Sequence, residues 1–239
     1  MQSRKQIFCF THAGGSASFF DKIESDLPEI EFVKIEYSGH GSRRKEPLYT
    51  DFTNLTDDVF QALKKEYKGE EYALFGYSMG TITLVEILKR ILNESNMPLP
   101  KRVFLAAHEP ITKAEFSGDT TNELNDWVKQ RTIQFGTVPE RLINNKSFWR
   151  MYLPLYCADY LLIGKYRFEK LGLKSEISAT IFYSETDTPL RNMELWKKYF
   201  INKCNFHKFE GTHFFIQQHH REIAEIIQER LYRSENDDI

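Results

Sequence analysis

The chain has 239 residues, enough to bury one substantial core, and one large α/β domain spanning 1–239 is favoured over two small ones. Its apolar fraction of 41% and charged fraction of 28% are ordinary for a soluble globular protein. A net charge of −2, from 32 basic and 34 acidic residues, argues against nucleic acid as a partner, and no apolar run approaches the about 20 residues that cross a bilayer.

The first ten residues pass directly into a strand-like run and lack the apolar stretch of a signal peptide. Cys9, Cys157 and Cys204 lie far apart, a pattern that suits reduced thiols and a cytoplasmic protein better than a disulfide framework. Ile7-Phe8-Cys9-Phe10 is the first expected strand, followed by a helix through Phe19, Phe20, Ile23 and Leu27. A second strand is expected at 32–35. The next helix carries Leu55, Val59, Leu63 and Tyr67 four residues apart, with Asn54 or Thr53 as cap and Gly69 as stop. Residues 72–75 read as the third strand and 81–92 as a largely apolar helix. Strands at 102–107, 179–183 and 205–209 follow, and a last helix bears Ile223, Ile226, Ile227 and Leu231 on one face. Alternating strands and helices imply an α/β fold, a mostly parallel sheet with helices on both faces.

The alternation breaks once, between residues 110 and 176. This stretch reads as several helices rich in aromatics, among them Trp127, Phe135, Phe148, Trp149, Tyr152 and Tyr156, with no convincing strand. An insertion of this kind between sheet strands is expected to form a helical lid over the strand ends; the alternative is a subdomain with a purely packing role.

Gly76-Tyr77-Ser78-Met79-Gly80 is the sequence's single G-x-S-x-G, placed between an apolar strand and a helix. That is the context of a nucleophile elbow and of an α/β-hydrolase fold, in which a Cβ two residues either side of the serine would strike backbone. The competing reading is a glycine-rich turn with an incidental serine. A serine hydroxyl needs a base and an orienting acid, here in the chain order serine, acid, histidine. Asp187 follows the fifth strand and His213 the sixth, on the same sheet edge as Ser78, so these three are the expected triad. Glu185 is the second candidate acid and Asp159 a weaker one. His207 falls inside a strand, His219 and His220 are expected to face solvent, and His12 and His108 are placed to border the site. Oxyanion donors are expected from the backbone of Met79 and of Ala13 in His12-Ala13-Gly14-Gly15-Ser16. A phosphate cradle in that loop lacks the required glycine and lysine spacing, and neither a metal site nor a cofactor is expected. Arg43-Arg44-Lys45 is either an ordinary solvated loop or a basic face for an acidic partner.

These residues resemble the type II thioesterases that accompany nonribosomal peptide and polyketide synthetases. The resemblance runs from Phe8 to the last helix. It rests on 9–18, on Ser38-Gly39-His40-Gly41, on 76–80, on Asp187 followed by Trp196-Lys197-Lys198, and on Gly211-Thr212-His213-Phe214-Phe215. The insertion is similar around 135–139 and Ala158-Asp159-Tyr160. Thr11 and Ser38 stand where the family often has proline, Tyr77 where it often has histidine, and Ser184 where it often has glycine. The resemblance implies hydrolysis of acyl groups from the phosphopantetheine arm of acyl or peptidyl carrier proteins; separately, a monomer is expected. His12, Arg43, Arg44 and Trp149 are candidate contacts for substrate or carrier, with Arg141, Lys146 and Arg150 as further basic candidates. The same triad also suits a carboxylesterase or an acyltransferase, and a non-catalytic carrier-binding module is a further alternative.

Overall fold

The computed structural model describes residues 4–94, 97–112, 116, 120–136, 138–201 and 203–232. Six strands form one sheet in the order β2-β1-β3-β4-β5-β6, and every neighbouring pair is parallel. They are β1 (Gln6–Phe10), β2 (Glu31–Lys34), β3 (Tyr72–Tyr77), β4 (Arg102–Ala106), β5 (Ser178–Tyr183) and β6 (Cys204–Lys208). The helices α1 (Asp21–Asp26), α2 (Phe52–Glu66), α3 (Met79–Asn93), α4 (Thr121–Gln134), α5 (Lys146–Lys165), α6 (Leu190–Met193) and α7 (His220–Tyr232) connect and cover it.

The two-residue period of the strands sends side chains to two cores. Phe8, Phe10 and Leu74 pack on one face with Leu55, Val59 and Leu63 of α2 and Ile82 and Val85 of α3. Ile7, Cys9, Phe75 and Phe104 pack on the other with Ile23 of α1 and Ile223, Ile227 and Leu231 of α7. Because both faces are covered, β1, β3 and β4 are buried along their whole length and read as continuous apolar runs. Strand order reverses between β1 and β3, and ligands in such sheets bind outside the carboxyl ends at that crevice.

All six expected strands are present, with edges moved by a residue or two. The cap of α2 differs from expectation: Asp51 fills it, its carboxylate accepting the Asn54 backbone N–H at 2.8 Å. Thr53 and Asn54 belong to the first turn instead. The apolar spacing marks the buried face of a helix but not its first residue. α3 starts at Met79, two residues earlier than expected, because it springs directly from Ser78.

Between β4 and β5 the described residues contain helices and no strand, only a single parallel bridge from Ser175 to Phe200. A capping box between Thr120 and Glu123 starts α4. α4 and α5 share a small core of Val128, Val138, Trp149, Tyr156 and Cys157. Thr137, within the 135–139 motif, lies outside the described residues. Cys9, Cys157 and Cys204 are free thiols. No helix among the described residues is long and apolar enough to cross a membrane.

Candidate active site

β3 ends at Tyr77 and α3 begins at Met79, so Ser78 alone makes the turn. Its backbone is forced to φ 54° and ψ −116°, a strained conformation for a residue with a Cβ. The flanking glycines are a steric necessity. A Cβ on Gly76 would lie 2.3 Å from the Gly80 carbonyl oxygen, and one on Gly80 would lie 1.9 Å from that of Phe10. The turn lifts the Ser78 hydroxyl above the carboxyl edge of the sheet.

His213 meets that hydroxyl. Its Nε2 lies 2.9 Å from Ser78 Oγ and its Nδ1 lies 2.7 Å from Asp187 Oδ2. A carboxylate only accepts, so Nδ1 carries the hydrogen and Nε2 is free to accept from the serine. Ser78 and His213 are each 8% exposed. Glu185, the other candidate acid, is exposed, and its carboxylate accepts the Leu190 N–H. Loop tethers keep this geometry. The Tyr77 hydroxyl donates to the His213 carbonyl at 2.5 Å, and the Ser184 and Thr186 hydroxyls both donate to the Gly211 carbonyl. The loop bearing the acid is thereby tied to the loop bearing the base.

The three side chains open into a cavity of about 390 Å³ that His12 and Ala13 also line. Its roof comes from the insertion. Phe135, at the end of α4, stacks on the His213 imidazole at 4.4 Å with 22° between planes. Arg131 holds its guanidinium over the rings of Phe135 and Trp127, at 5.0 and 5.6 Å. Tyr156 and Tyr160 of α5 complete that side.

A family model described as Thioesterase domain matches residues 5–231. The chain belongs to that family. Among relatives of this thioesterase, linear gramicidin dehydrogenase LgrE of Brevibacillus parabrevis is 26% identical, over 94% of this chain and 87% of the relative. The medium-chain S-acyl fatty acid synthase thioesterase of Rattus norvegicus is 28% identical, over 89% and 82%. The structure of the type II thioesterase BorB from the borrelidin biosynthetic cluster superposes with a TM-score of 0.82 at 24% identity, covering 97% of this chain and 94% of that one. The likeness establishes the α/β-hydrolase fold of this thioesterase.

The remaining candidates divide by position. His12 is half-buried in the cavity wall, edge-on to Phe19 and Phe214. Burial first, and then the charges of His213 and His40, hold its pKa down to about 3. His108 also borders the cavity, its Nδ1–H donating to the Glu109 carbonyl at 2.7 Å. Met79 is fully buried behind the elbow. Arg43, Arg44 and Trp149 do not line the cavity. Arg43 is engaged by Asp58 at 2.6 Å, by Glu46 and by the Glu36 carbonyl, while Arg44 is exposed. Trp149 is buried in the core of the insertion, its indole N–H donating to the Ile143 carbonyl. His219 and His220 depart from expectation. Both are half-buried, His219 against the Phe209 ring at 5.3 Å and His220 against Asp26 at 2.5 Å where α7 packs on α1. Among the described residues no cluster of His, Cys, Asp or Glu is disposed to hold a metal ion.

Two features were not anticipated from the sequence. In sequence Phe135 is one aromatic of the insertion among several, and only the fold sets it over the His213 ring. Asp159 reads in sequence as a weaker candidate acid, and its carboxylate faces Gly14 and His40 instead of His213.

Proposed function

We propose that this thioesterase hydrolyses acyl groups from the phosphopantetheine arm of carrier proteins, clearing stalled or wrongly primed chains from nonribosomal peptide or polyketide synthetases. The observation that carries the reading is the chain Ser78 to His213 to Asp187 at the floor of a roofed cavity. His213 Nε2 takes the Ser78 proton as Oγ bonds to the thioester carbonyl carbon, and Asp187 stabilises the imidazolium. Backbone N–H groups of Met79 and Ala13 receive the oxyanion, each worth about 3–4 kcal/mol to the transition state. The carbon–sulfur bond then breaks, and the pantetheine thiol leaves with the proton from His213. Water attacks the acyl-serine with His213 as base, releasing the acid and restoring Ser78.

The scheme calls on no cofactor and on no residue of a second subunit, and we take the enzyme to act as a monomer. The three free thiols support a cytoplasmic setting. The insertion acts as the lid: its aromatics exclude water and bound the acyl chain. A cavity of about 390 Å³ lies near the lower end of the usual range for small-molecule sites, which favours short or medium acyl groups. The similarity to the rat medium-chain enzyme supports a second reading, release of medium-chain acids from a fatty acid synthase.

Mass spectrometry of carrier domains loaded with different acyl groups, before and after incubation with the protein, separates these readings. Unloading of aberrant short acyl groups supports editing, and selective release of medium chains supports the second reading. Faster cleavage of simple oxygen esters than of carrier thioesters would instead point to a carboxylesterase.

A further inference from the structure

A buried charge pair outside the triad joins three separate segments. Asp159 on α5 and His40 in the loop after β2 are each 1% exposed. Asp159 Oδ2 accepts the Gly14 backbone N–H at 2.7 Å and lies 2.8 Å from His40 Nε2. His40 Nδ1 lies 3.0 Å from the Ser38 carbonyl. Both ring nitrogens therefore face acceptors, and the ring satisfies them as an imidazolium opposite the carboxylate. Buried ion pairs are poor sources of net stability, since replacement by apolar groups is often neutral. A role in fixing geometry accounts better for this one.

What it fixes is the loop after β1. Gly14 has φ +71°, and a Cβ there would lie 1.9 Å from the Tyr156 ring. Tyr156 and Asp159 are three residues apart on α5, so one face of that helix both covers Gly14 and accepts its N–H. Anchoring the Gly14 N–H fixes the Ala13–Gly14 peptide plane and so restrains the adjoining His12–Ala13 plane, which carries the Ala13 N–H, the second oxyanion donor of the mechanism above. We propose that Asp159 is a positioning residue, which, paired with His40, aims the Ala13 N–H at the oxyanion and does so only while α5 is seated. Lid seating and transition-state stabilisation become one event: an enzyme whose lid is displaced is left with a misaligned oxyanion loop.

The inference rests on the thioesterase mechanism proposed above, and its test keeps the two apart. Wild-type protein, Asp159→Asn and His40→Gln are compared on a short acyl thioester of N-acetylcysteamine, which needs no carrier docking. Alongside turnover, two inhibitors are titrated: the acyl trifluoromethyl ketone, whose adduct needs the oxyanion donors, and the matching thioether, which has no carbonyl. In Asp159→Asn, kcat is expected to fall about 10- to 100-fold and ketone affinity in parallel, with thioether affinity unchanged. His40→Gln, which keeps an N–H donor but loses the charge, is expected to show the same pattern more weakly, and it carries the comparison if Asp159→Asn does not fold. Equal loss of ketone and thioether binding would mean that the pair merely holds the pocket together, and wild-type kcat in a folded variant would overturn the proposal. If wild-type protein fails to hydrolyse the thioester, it is the thioesterase mechanism that fails.

Discussion

The phenyl ring of Phe135 lies on the imidazole of His213, centroid to centroid 4.4 Å, and closes the cavity over the proposed base. The ring comes from the end of α4, and the Arg131 guanidinium lies over it at 5.0 Å. Phe135 lines the same cavity as Ser78, so under the proposed mechanism an acyl group held on that serine would lie beside this stack.

Phe135→Ala is therefore expected to flatten acyl-chain selectivity. A methylene in a hydrophobic pocket is worth about 1–3 kcal/mol, so the ratio of kcat/KM between successive chain lengths should fall by up to about tenfold. Hydrolysis of a graded series of acyl thioesters measures it. An unchanged ratio would place the selective surface elsewhere.

Replacement of Ser78 by alanine is expected to leave the fold intact and lower turnover by about 10⁴-fold or more. A fluorophosphonate should label the native protein at Ser78 and not the variant. Asp187→Asn should cost about 10⁴-fold through the wrong imidazole tautomer, while Glu185→Gln, on an exposed side chain, should be nearly silent. The reverse order of effects would reassign the acid.

These groups were legible in the sequence because each is marked by local chemistry. Gly76 and Gly80 are dictated by backbone clearance around Ser78, and Asp187 and His213 follow strand ends in the required order. What was not legible depends on partners distant in the chain. His40 and Asp159 are 119 residues apart, and Phe135 meets His213 only because α4 folds back over the sheet. Arg43 reads as a free basic residue until α2 brings Asp58 beside it. In sequence Tyr77 and Ser184 read only as departures from the family pattern, and in the structure their hydroxyls hold the two loops that carry the acid and the base.

That tether is testable. Tyr77→Phe leaves the buried His213 carbonyl without this donor, which costs about 1–3 kcal/mol. Turnover is expected to fall several-fold at unchanged KM, because His213 is held less firmly while the acyl pocket is untouched. A denaturant titration and steady-state kinetics on the same variant check both halves. Loss of substrate affinity with full kcat would contradict the assignment.

The His40–Asp159 pair predicts a direction of pH dependence. Burial alone would lower the His40 pKa, but the hydrogen bond and charge of Asp159 outweigh it, with the Ser38 carbonyl and Glu36 adding, and the net shift is upward. Tyr37 meets the ring edge at 5.7 Å, and His12 is the other titrating ring nearby. A histidine pKa raised by folding contributes stability that is complete below the unfolded value of about 6.5 and is lost as pH rises through the folded value. Melting temperature is therefore expected to decline through that window in wild-type protein and to be flatter in Asp159→Asn. A rise over the same range would have the wrong sign.

The last prediction concerns the carrier. Arg43 is held by Asp58, Glu46 and the Glu36 carbonyl, so its charge is largely spent within the fold. Arg44 and Lys45, next in the same loop, are exposed at the carboxyl edge of the sheet, the edge on which Ser78 opens. Under the proposed carrier-protein reading, exposed basic residues on this edge would speed encounter with an acidic carrier surface. Reversing both charges, Arg44→Glu with Lys45→Glu, should raise the apparent KM for carrier-bound substrate by about tenfold at low salt and by less as ionic strength increases. A small acyl-thiol should be hydrolysed as before. Arg43→Glu should behave differently, lowering thermal stability and affecting both substrates alike, because it opposes Asp58 and Glu46 inside the loop. If the double reversal leaves the carrier substrate untouched at low salt, docking is borne by another surface, with Arg141, Lys146 and Arg150 of the insertion the next to reverse.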